Sequence, residues 1–537
     1  MEKKLFLNLV IFENFNTFSE YFICISIIYV LIVGVLITYN IYGLVIQQAF
    51  SDCIVLVLLM TVYLIFNDNL LMFNFLTFNN SFINDYLALF AKTLICVFSI
   101  IYFLIISNFL KEQKLISFEY LLIILFAILG ILFMCSSNDL IIAYLAIELS
   151  SLAFYILASF RKVSNYSIES GVKYFIMGAI SSAFFLLGSS FVYGLTGSIN
   201  FSDFQDLFEL SIFYFDAYAI PLNIKYNELL NIIYTLMFID SSQLLNFDGF
   251  FGIRFVEFGL TLILFSLFIK LALAPFHLWS LDVYEGSPTN STFFFAVITK
   301  LSILVLLIRF CYQSFFVLKF CWQFYLVWVG LFSIFIGSFG GLKQRKLKTL
   351  LAYSSVGHMG YVLIALSTST FVGIQMFLFY IFVYMLSSLV VWNIILLLRL
   401  KKKKFENKYN KELSDLVLLK KSNVMLAFFL CITMFSISGI PPIVGFLSKM
   451  SVFLSIISIS FYFIAFLSII FSVASTFYYI RIIKILYFEN LLIGKLYYPI
   501  KTLKTFVLSF LIFSLVYFFF NPTILYLINY KVILCLF

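Results

Sequence analysis

Apolar runs of roughly twenty residues, separated by short polar breaks, recur along the whole chain. A hydrocarbon core about 30 Å thick takes roughly 20 helical residues at the usual rise, so each run predicts a membrane-spanning helix. The runs fall near 21–46, 52–66, 86–110, 118–135, 140–160, 168–195, 255–281, 293–310, 324–341, 350–366, 371–400, 424–453, 456–480 and 506–520. That pattern predicts an all-α polytopic membrane protein with about fourteen transmembrane helices. Two of the runs carry helix breakers. In the seventh, Pro275 cannot donate to the carbonyl of Leu271, so the helix is expected to break beside Lys270, shortly before His277. In the twelfth, Gly439, Pro441, Pro442 and Gly445 guarantee a discontinuity, with Lys449 about two turns beyond the prolines. Paired interrupted helices in the two halves of a chain mark inverted-repeat transporters, whose ion sites lie at the breaks.

Composition sharpens this reading. The 537 residues are 64% hydrophobic, 20% aromatic and 11% charged, with a mean hydropathy of +1.10. No water-soluble surface can be built from that, which excludes soluble enzymes, nucleic-acid binders and secreted disulfide scaffolds. The eight cysteines lie in apolar surroundings without a CxxC pair or a Cys/His cluster, so they read as packing residues, and no metal site is expected. The start, MEKK, lacks an Arg-rich amphipathic stretch, so no cleavable presequence is expected. The Phe, Ile, Leu, Tyr, Asn and Lys bias is that of an AT-rich coding genome, a hint of organellar origin.

The formal net charge of +9 comes from basic residues in loops, not from a nucleic-acid-binding patch. Counted over alternate loops, one side holds 22 Lys and Arg and the other 7. The positive-inside rule makes the richer side, including the Lys401–Lys404 run, the cytoplasm or matrix and puts both termini on the opposite side. Residues 196–254 form a more polar, acidic insert on the basic-poor face.

Ionisable side chains within spans are expensive, which makes each a candidate site residue. Lys92, near the start of its span, reads as a lysine that snorkels to the headgroups. Glu148 lies about 12 Å into its run, with Tyr144, Ser151 and Tyr155 on its helical face. Lys173 follows in the next span, with Glu169 one turn before it, and is a candidate to tune Glu148. Lys270 sits at the first break, Lys300 sits mid-span and Lys449 follows the second break. The two histidines, His277 and His358, fall among these polar groups, and imidazole can relay protons in both directions. There is no Walker sequence, dinucleotide fingerprint or haem-ligand pair, so the chain is read as moving charge without redox chemistry of its own.

The blocks NDLIIAYLAIELSSLAFYIL (138–157), KYFIMGAISSAFFLLGSSFVYGLTG (173–197), KLALAPFHLWSLDVYEGSPT (270–289), KTLLAYSSVGHMGYVLIAL (348–366) and MFSISGIPPIVGFLSKMSVF (434–453) resemble the antiporter-like membrane subunits of respiratory complex I. Within that family they are most similar to the mitochondrial subunit 2 branch. The resemblance implies a fold of two inverted five-helix repeats, with buried charges and broken helices forming two half-channels. It divides the chain into N-terminal helices (1–117), a first repeat (118–310, carrying the insert 196–254), a second repeat (324–485) and a C-terminal helix with its tail (486–537). It assigns proton translocation to Glu148, Lys173, Lys270, Lys300, His277, His358 and Lys449, with helix breaks at Pro275, Pro441 and Pro442. It implies an inner-mitochondrial-membrane subunit of an NADH:ubiquinone reductase that binds no cofactor itself. NADH, FMN, iron–sulfur clusters and ubiquinone would belong to partner subunits, and the partners would be other membrane-arm subunits and lipid. A cation/proton antiporter subunit, a plastid relative and a non-conducting scaffold are the competing readings. His277-Leu-Trp279 and Val356-Gly-His358-Met-Gly-Tyr361 look more like the mitochondrial version, and five buried lysines make a scaffold costly.

Overall fold

In lipid a helix satisfies its own backbone, so long apolar runs have one stable conformation, and the order of helices follows the order of runs. A computed structural model describes residues 17–38, 43–71, 75–107, 110, 117–162, 164–208, 248–398, 412–417, 419–489 and 502–534. Its helices are α1 (Phe18–Thr38), α2 (Gly43–Leu71), α3 (Tyr86–Ile106), α4 (Phe118–Ser136), α5 (Leu140–Ser159), α6 (Asn165–Thr196), α7 (Asp248–Leu271), α8 (Leu278–Gly286), α9 (Thr289–Val297), α10 (Thr299–Ile308), α11 (Lys319–Leu342), α12 (Leu347–Leu366), α13 (Phe371–Leu397), α14 (Val424–Ser438), α15 (Val444–Ile457), α16 (Tyr462–Tyr487), α17 (Thr502–Phe520) and α18 (Thr523–Leu534). Twelve helical segments among the described residues are long and apolar enough to cross a membrane, α9 and α10 counting as one. The broken pairs α7/α8 and α14/α15 complete the expected fourteen crossings. Most of the acidic insert and the Lys401–Lys404 run lie outside the described residues.

One departure from the all-helical expectation is a small hairpin, Phe75–Thr77 paired antiparallel with Phe82–Asn84. It meets the short connections around α5: Phe82 bridges Ser137, and Asp139 bridges Asn200. Chain reversals at a bundle end leave backbone groups unpaired, and these bridges satisfy them.

The most buried elements are α9/α10, α12 and α13, whereas α1, α2, α6, α16 and α17 turn apolar side chains outward, as lipid-facing helices do. The two most extensive helix pairs, α11 with α12 and α6 with α7, rest on glycines. A Cβ on Gly337 would lie 2.6 Å from the Cα of Gly357, and one on Gly188 would lie 2.6 Å from the Gly259 carbonyl. Lipid gives no hydrophobic push between helices, so close backbone approach through small residues supplies the packing energy. Most hydroxyls inside the spans bond the carbonyl three or four residues back, as Ser181 does to Gly178 at 2.6 Å. They satisfy themselves and are not free to line a site.

Three charged side chains differ from their sequence reading. Lys92 does not snorkel: it is 1% exposed and pairs with Glu20 of α1 at 2.5 Å, with Asn84 accepting a second bond at 2.8 Å. Arg309, one of the 7 basic residues assigned to loops of the basic-poor side, is 0% exposed and pairs with Asp85 at 2.7 Å while also donating to the Cys135 carbonyl at 3.1 Å. It begins a π-helical turn, Arg309–Ser314, that ends the eighth crossing. Lys504, one of the 22 basic residues assigned to loops of the basic-rich side, is buried in α17 and donates to the Ile105 carbonyl in the last turn of α3 at 2.6 Å. Desolvated charges need partners, and in each case a helix distant in sequence provides one.

Candidate functional site: lysines at two helix breaks

The two breaks share one backbone device. At the end of α7, Leu273 N–H donates to the Phe268 carbonyl and Ala272 N–H to the Ile269 carbonyl, both at 3.0 Å, with Ala272 at φ 57°. At the end of α14, Ile440 N–H donates to Phe435 and Gly439 N–H to Ser436, both at 3.1 Å, with Gly439 at φ 81°. This paired bonding around one left-handed residue is the Schellman termination of a helix. It changes the account of the first break: α7 has already ended at Leu271, before Pro275 could remove a helical bond. Pro275, Pro441 and Pro442 instead keep the chain from re-entering a helix at once. At the second break the Ser438 carbonyl accepts from the Lys449 ammonium at 2.7 Å. At the first break the Trp279 indole N–H donates to Ile269 at 3.0 Å.

Around the first break, one face of α5 carries Glu148, Ser151 and Tyr155. The Ser151 hydroxyl donates to Glu148 Oε2 at 3.4 Å, and Lys270 Nζ donates to Tyr155 Oη at 3.4 Å. The Tyr155 hydroxyl lies directly against Gly178 of α6, where any Cβ would collide with it. Gly178→Leu is therefore expected to push the phenol off Lys270. The expected cost is about 1–3 kcal/mol in stability, read by thermal unfolding.

Around the second break, Lys300 Nζ donates to Tyr384 Oη at 3.3 Å and lies 5.3 Å from that ring's centroid. The Tyr384 ring is 5.3 Å from the His358 ring. His358 is bracketed by phenols, with Nδ1 at 2.7 Å from Tyr380 Oη and Nε2 at 3.2 Å from Tyr479 Oη. Lys449 lies 5.6 Å from the centroid of the Tyr361 ring. A water-sized cavity touches Tyr384, His358, Lys449, Ser436 and Ser448 together. Among the described residues, Lys270, Lys300 and Lys449 have no carboxylate within ion-pair distance. Their charge is shared with hydroxyls, ring faces and one backbone carbonyl.

Two candidates stand apart. Lys173 does not meet Glu148: its side chain is 43% exposed and pairs with Glu169 and with Asp282 of α8, each at 2.7 Å. His277 is buried at the start of α8, its ring 6.4 Å from that of Tyr353. Sequence reasoning missed Tyr380 and Tyr384, one turn apart on α13. Two phenols at i and i+4 in a span are a legible signal, but 34 tyrosines hide it.

Comparison with known proteins agrees with this geometry. The family described as NADH:quinone oxidoreductase/Mrp antiporter, TM, matches residues 137–475, which include both breaks and every lysine named above except Lys92 and Lys504. The chain belongs to this family. Among relatives of the NADH:quinone oxidoreductase/Mrp antiporter family, it is 37% identical to NADH-ubiquinone oxidoreductase chain 2 of Marchantia polymorpha over 461 residues, 86% of each chain. It is 36% identical to NADH-quinone oxidoreductase subunit N of Pelagibacter ubique, over 89% of this chain and 90% of that one. A chain in the respiratory complex I structure from Thermus thermophilus superposes with a TM-score of 0.72 at 22% identity, covering 94% of this chain and 98% of that one. The fold is thus that of the antiporter-like subunits, with two inverted five-helix repeats and two broken helices, in a multi-pass membrane protein.

Proposed function

We propose that this chain is a proton-translocating membrane-arm subunit of respiratory complex I, coupling NADH:ubiquinone electron transfer in partner subunits to proton movement through its own buried charges. The observation that carries this reading is a set of three lysines without a carboxylate partner among the described residues, Lys300 and Lys449 buried and Lys270 half-buried, each set against a phenol hydroxyl or ring face. Charges that hold the fold together here are met by carboxylates, as Lys92 and Arg309 are, or seated on a helix terminus away from the breaks, as Lys504 is. Glu148 and Lys270 serve the first repeat and Lys300, His358 and Lys449 the second. Lys173 and His277 act from the edges of the site. The domain division follows: N-terminal helices 1–117, repeats at 118–310 and 324–485, and a C-terminal helix with its tail at 486–537.

The redox cofactors, NADH, FMN, iron–sulfur clusters and ubiquinone, belong to the partner subunits, and this chain contributes no redox centre. The similarity to oxidoreductase subunits in both plants and bacteria favours this reading over a free-standing cation antiporter. We place the chain in the mitochondrial inner membrane, its basic face toward the matrix and its termini toward the intermembrane space. Glu148→Gln tests the function. Proton pumping by the assembled complex is expected to fall about a hundredfold, while NADH oxidation by an artificial acceptor persists. Retained pumping would refute the assignment.

A further inference from the structure

Beyond the cavity already described, a second water-sized cavity lies on the other side of the His358–Lys449 pair, between α11, α12 and α16. His358 and Lys449 therefore form the wall between the two cavities. Ser338, Ser354 and Ser475 line the second one, together with Tyr478 and Tyr479.

The hydroxyls continue the path away from the histidine. His358 Nε2 is 3.2 Å from Tyr479 Oη, and Tyr478 Oη donates to Tyr479 Oη at 3.3 Å. The cavity is not midway through the bundle. Ser338 is one turn from the end of α11, and Tyr478 packs on Gly341, where a Cβ would lie 2.9 Å from the phenol ring. One turn further along α16, Arg481 donates to the Leu342 and Gln344 carbonyls at 3.1 and 3.4 Å. Those carbonyls belong to the connection carrying Lys343, Arg345, Lys346 and Lys348. The phenol pair thus sits about one helical turn beneath the basic face.

We infer that the cavity between α11, α12 and α16 is an aqueous proton inlet from the basic face to His358 and Lys449, with Tyr478 and Tyr479 as its conducting hydroxyls. The inference rests on the function proposed above and assigns to the second repeat its own supply of protons. A proton arriving by water is accepted by Tyr479 Oη as that group's own proton passes to His358 Nε2. Each transfer breaks one O–H bond and forms another O–H or N–H bond, with no net change in the phenol. A phenylalanine cannot take part, although it fills the same space.

Two measurements on the intact complex in sealed vesicles test this. Ser338→Cys is expected to be modified by a membrane-impermeant thiol reagent applied to the basic face, above the labelling of the parent chain. Modification only from the opposite face, or from neither, overturns the inlet. Tyr479→Phe is expected to assemble and to lower pumping about tenfold while NADH oxidation by an artificial acceptor persists; normal pumping overturns the role of the hydroxyl. Glu148→Gln separates the two proposals. If it abolishes pumping while Tyr479→Phe does not, the inlet fails and the function stands. If both variants pump normally, the function itself fails.

Discussion

Lys270→Ala is expected to reduce proton pumping by about a hundredfold or more in a complex that still assembles and still passes electrons from NADH to an artificial acceptor. The side chain extends from the last turn of α7 to Tyr155 Oη at 3.4 Å, and among the described residues no carboxylate is within ion-pair distance, so deleting it strands no counter-charge there. That separates the functional loss from misfolding. Lys270→Arg distinguishes a proton carrier from a fixed charge. A guanidinium stays charged at every physiological pH, whereas an amine can give its proton up and take it back. The arginine variant should fail nearly as completely as alanine. Near-normal pumping with arginine would show that position 270 supplies only positive charge, and the relay through Tyr155 would have to be abandoned. Pro275→Ala should have a milder effect than either, because the left-handed Ala272 ends α7 whether or not the proline is present.

The largest effect on stability is expected at Arg309 and Asp85. Both are fully desolvated, and Asp85 Oδ1 also accepts from the Ala88 N–H at 2.9 Å as the N-cap of α3. Asp85→Asn preserves the cap but leaves a buried guanidinium without its counter-charge, at a cost of about 3–5 kcal/mol. Arg309→Gln strands the carboxylate at a similar cost. The double variant, neutral at both positions, should recover much of the loss. Thermal unfolding of the detergent-solubilised complex and the yield of assembled complex read this out. Additive losses in the double variant would show that the pair does not act as a unit. The pair joins the start of α3 to the end of α10, and Lys92 with Glu20 joins α1 to α3. The N-terminal helices, which lie outside the matched family region, are thereby fixed to the core by charge as well as by packing.

The membrane-spanning helices, the two breaks and the presence of charges within spans were legible in the sequence because each has a local cause. A twenty-residue apolar run has no stable conformation in lipid but a helix, and a charge inside such a run is conspicuous against a chain that is 11% charged. Proline and glycine marked the breaks to within a few residues. They did not identify the mechanism, since an alanine occupies the left-handed position that ends α7. The bonding that forces it there involves carbonyls whose availability only the folded chain decides.

Apart from Glu169, one turn before Lys173 on the same helix, the partners of these charges were decided by tertiary structure. Lys92, Lys173, Arg309 and Lys504 carry the same kinds of side chain as Lys270, Lys300 and Lys449, and in one dimension nothing sorts them. Folding pairs the first three with Glu20, with Glu169 and Asp282, and with Asp85, and sets Lys504 against a helix terminus. It leaves the other three against phenols and a carbonyl. The physical reason is distance. A charge in a low-dielectric bundle is governed by whatever lies within about 4 Å of it, and here those neighbours are up to several hundred positions away along the chain. The sequence by itself determined that this protein spans the membrane and carries charge within it; the packing of helices distant in sequence determined which of those charges meet a carboxylate and which are set against phenols and a carbonyl.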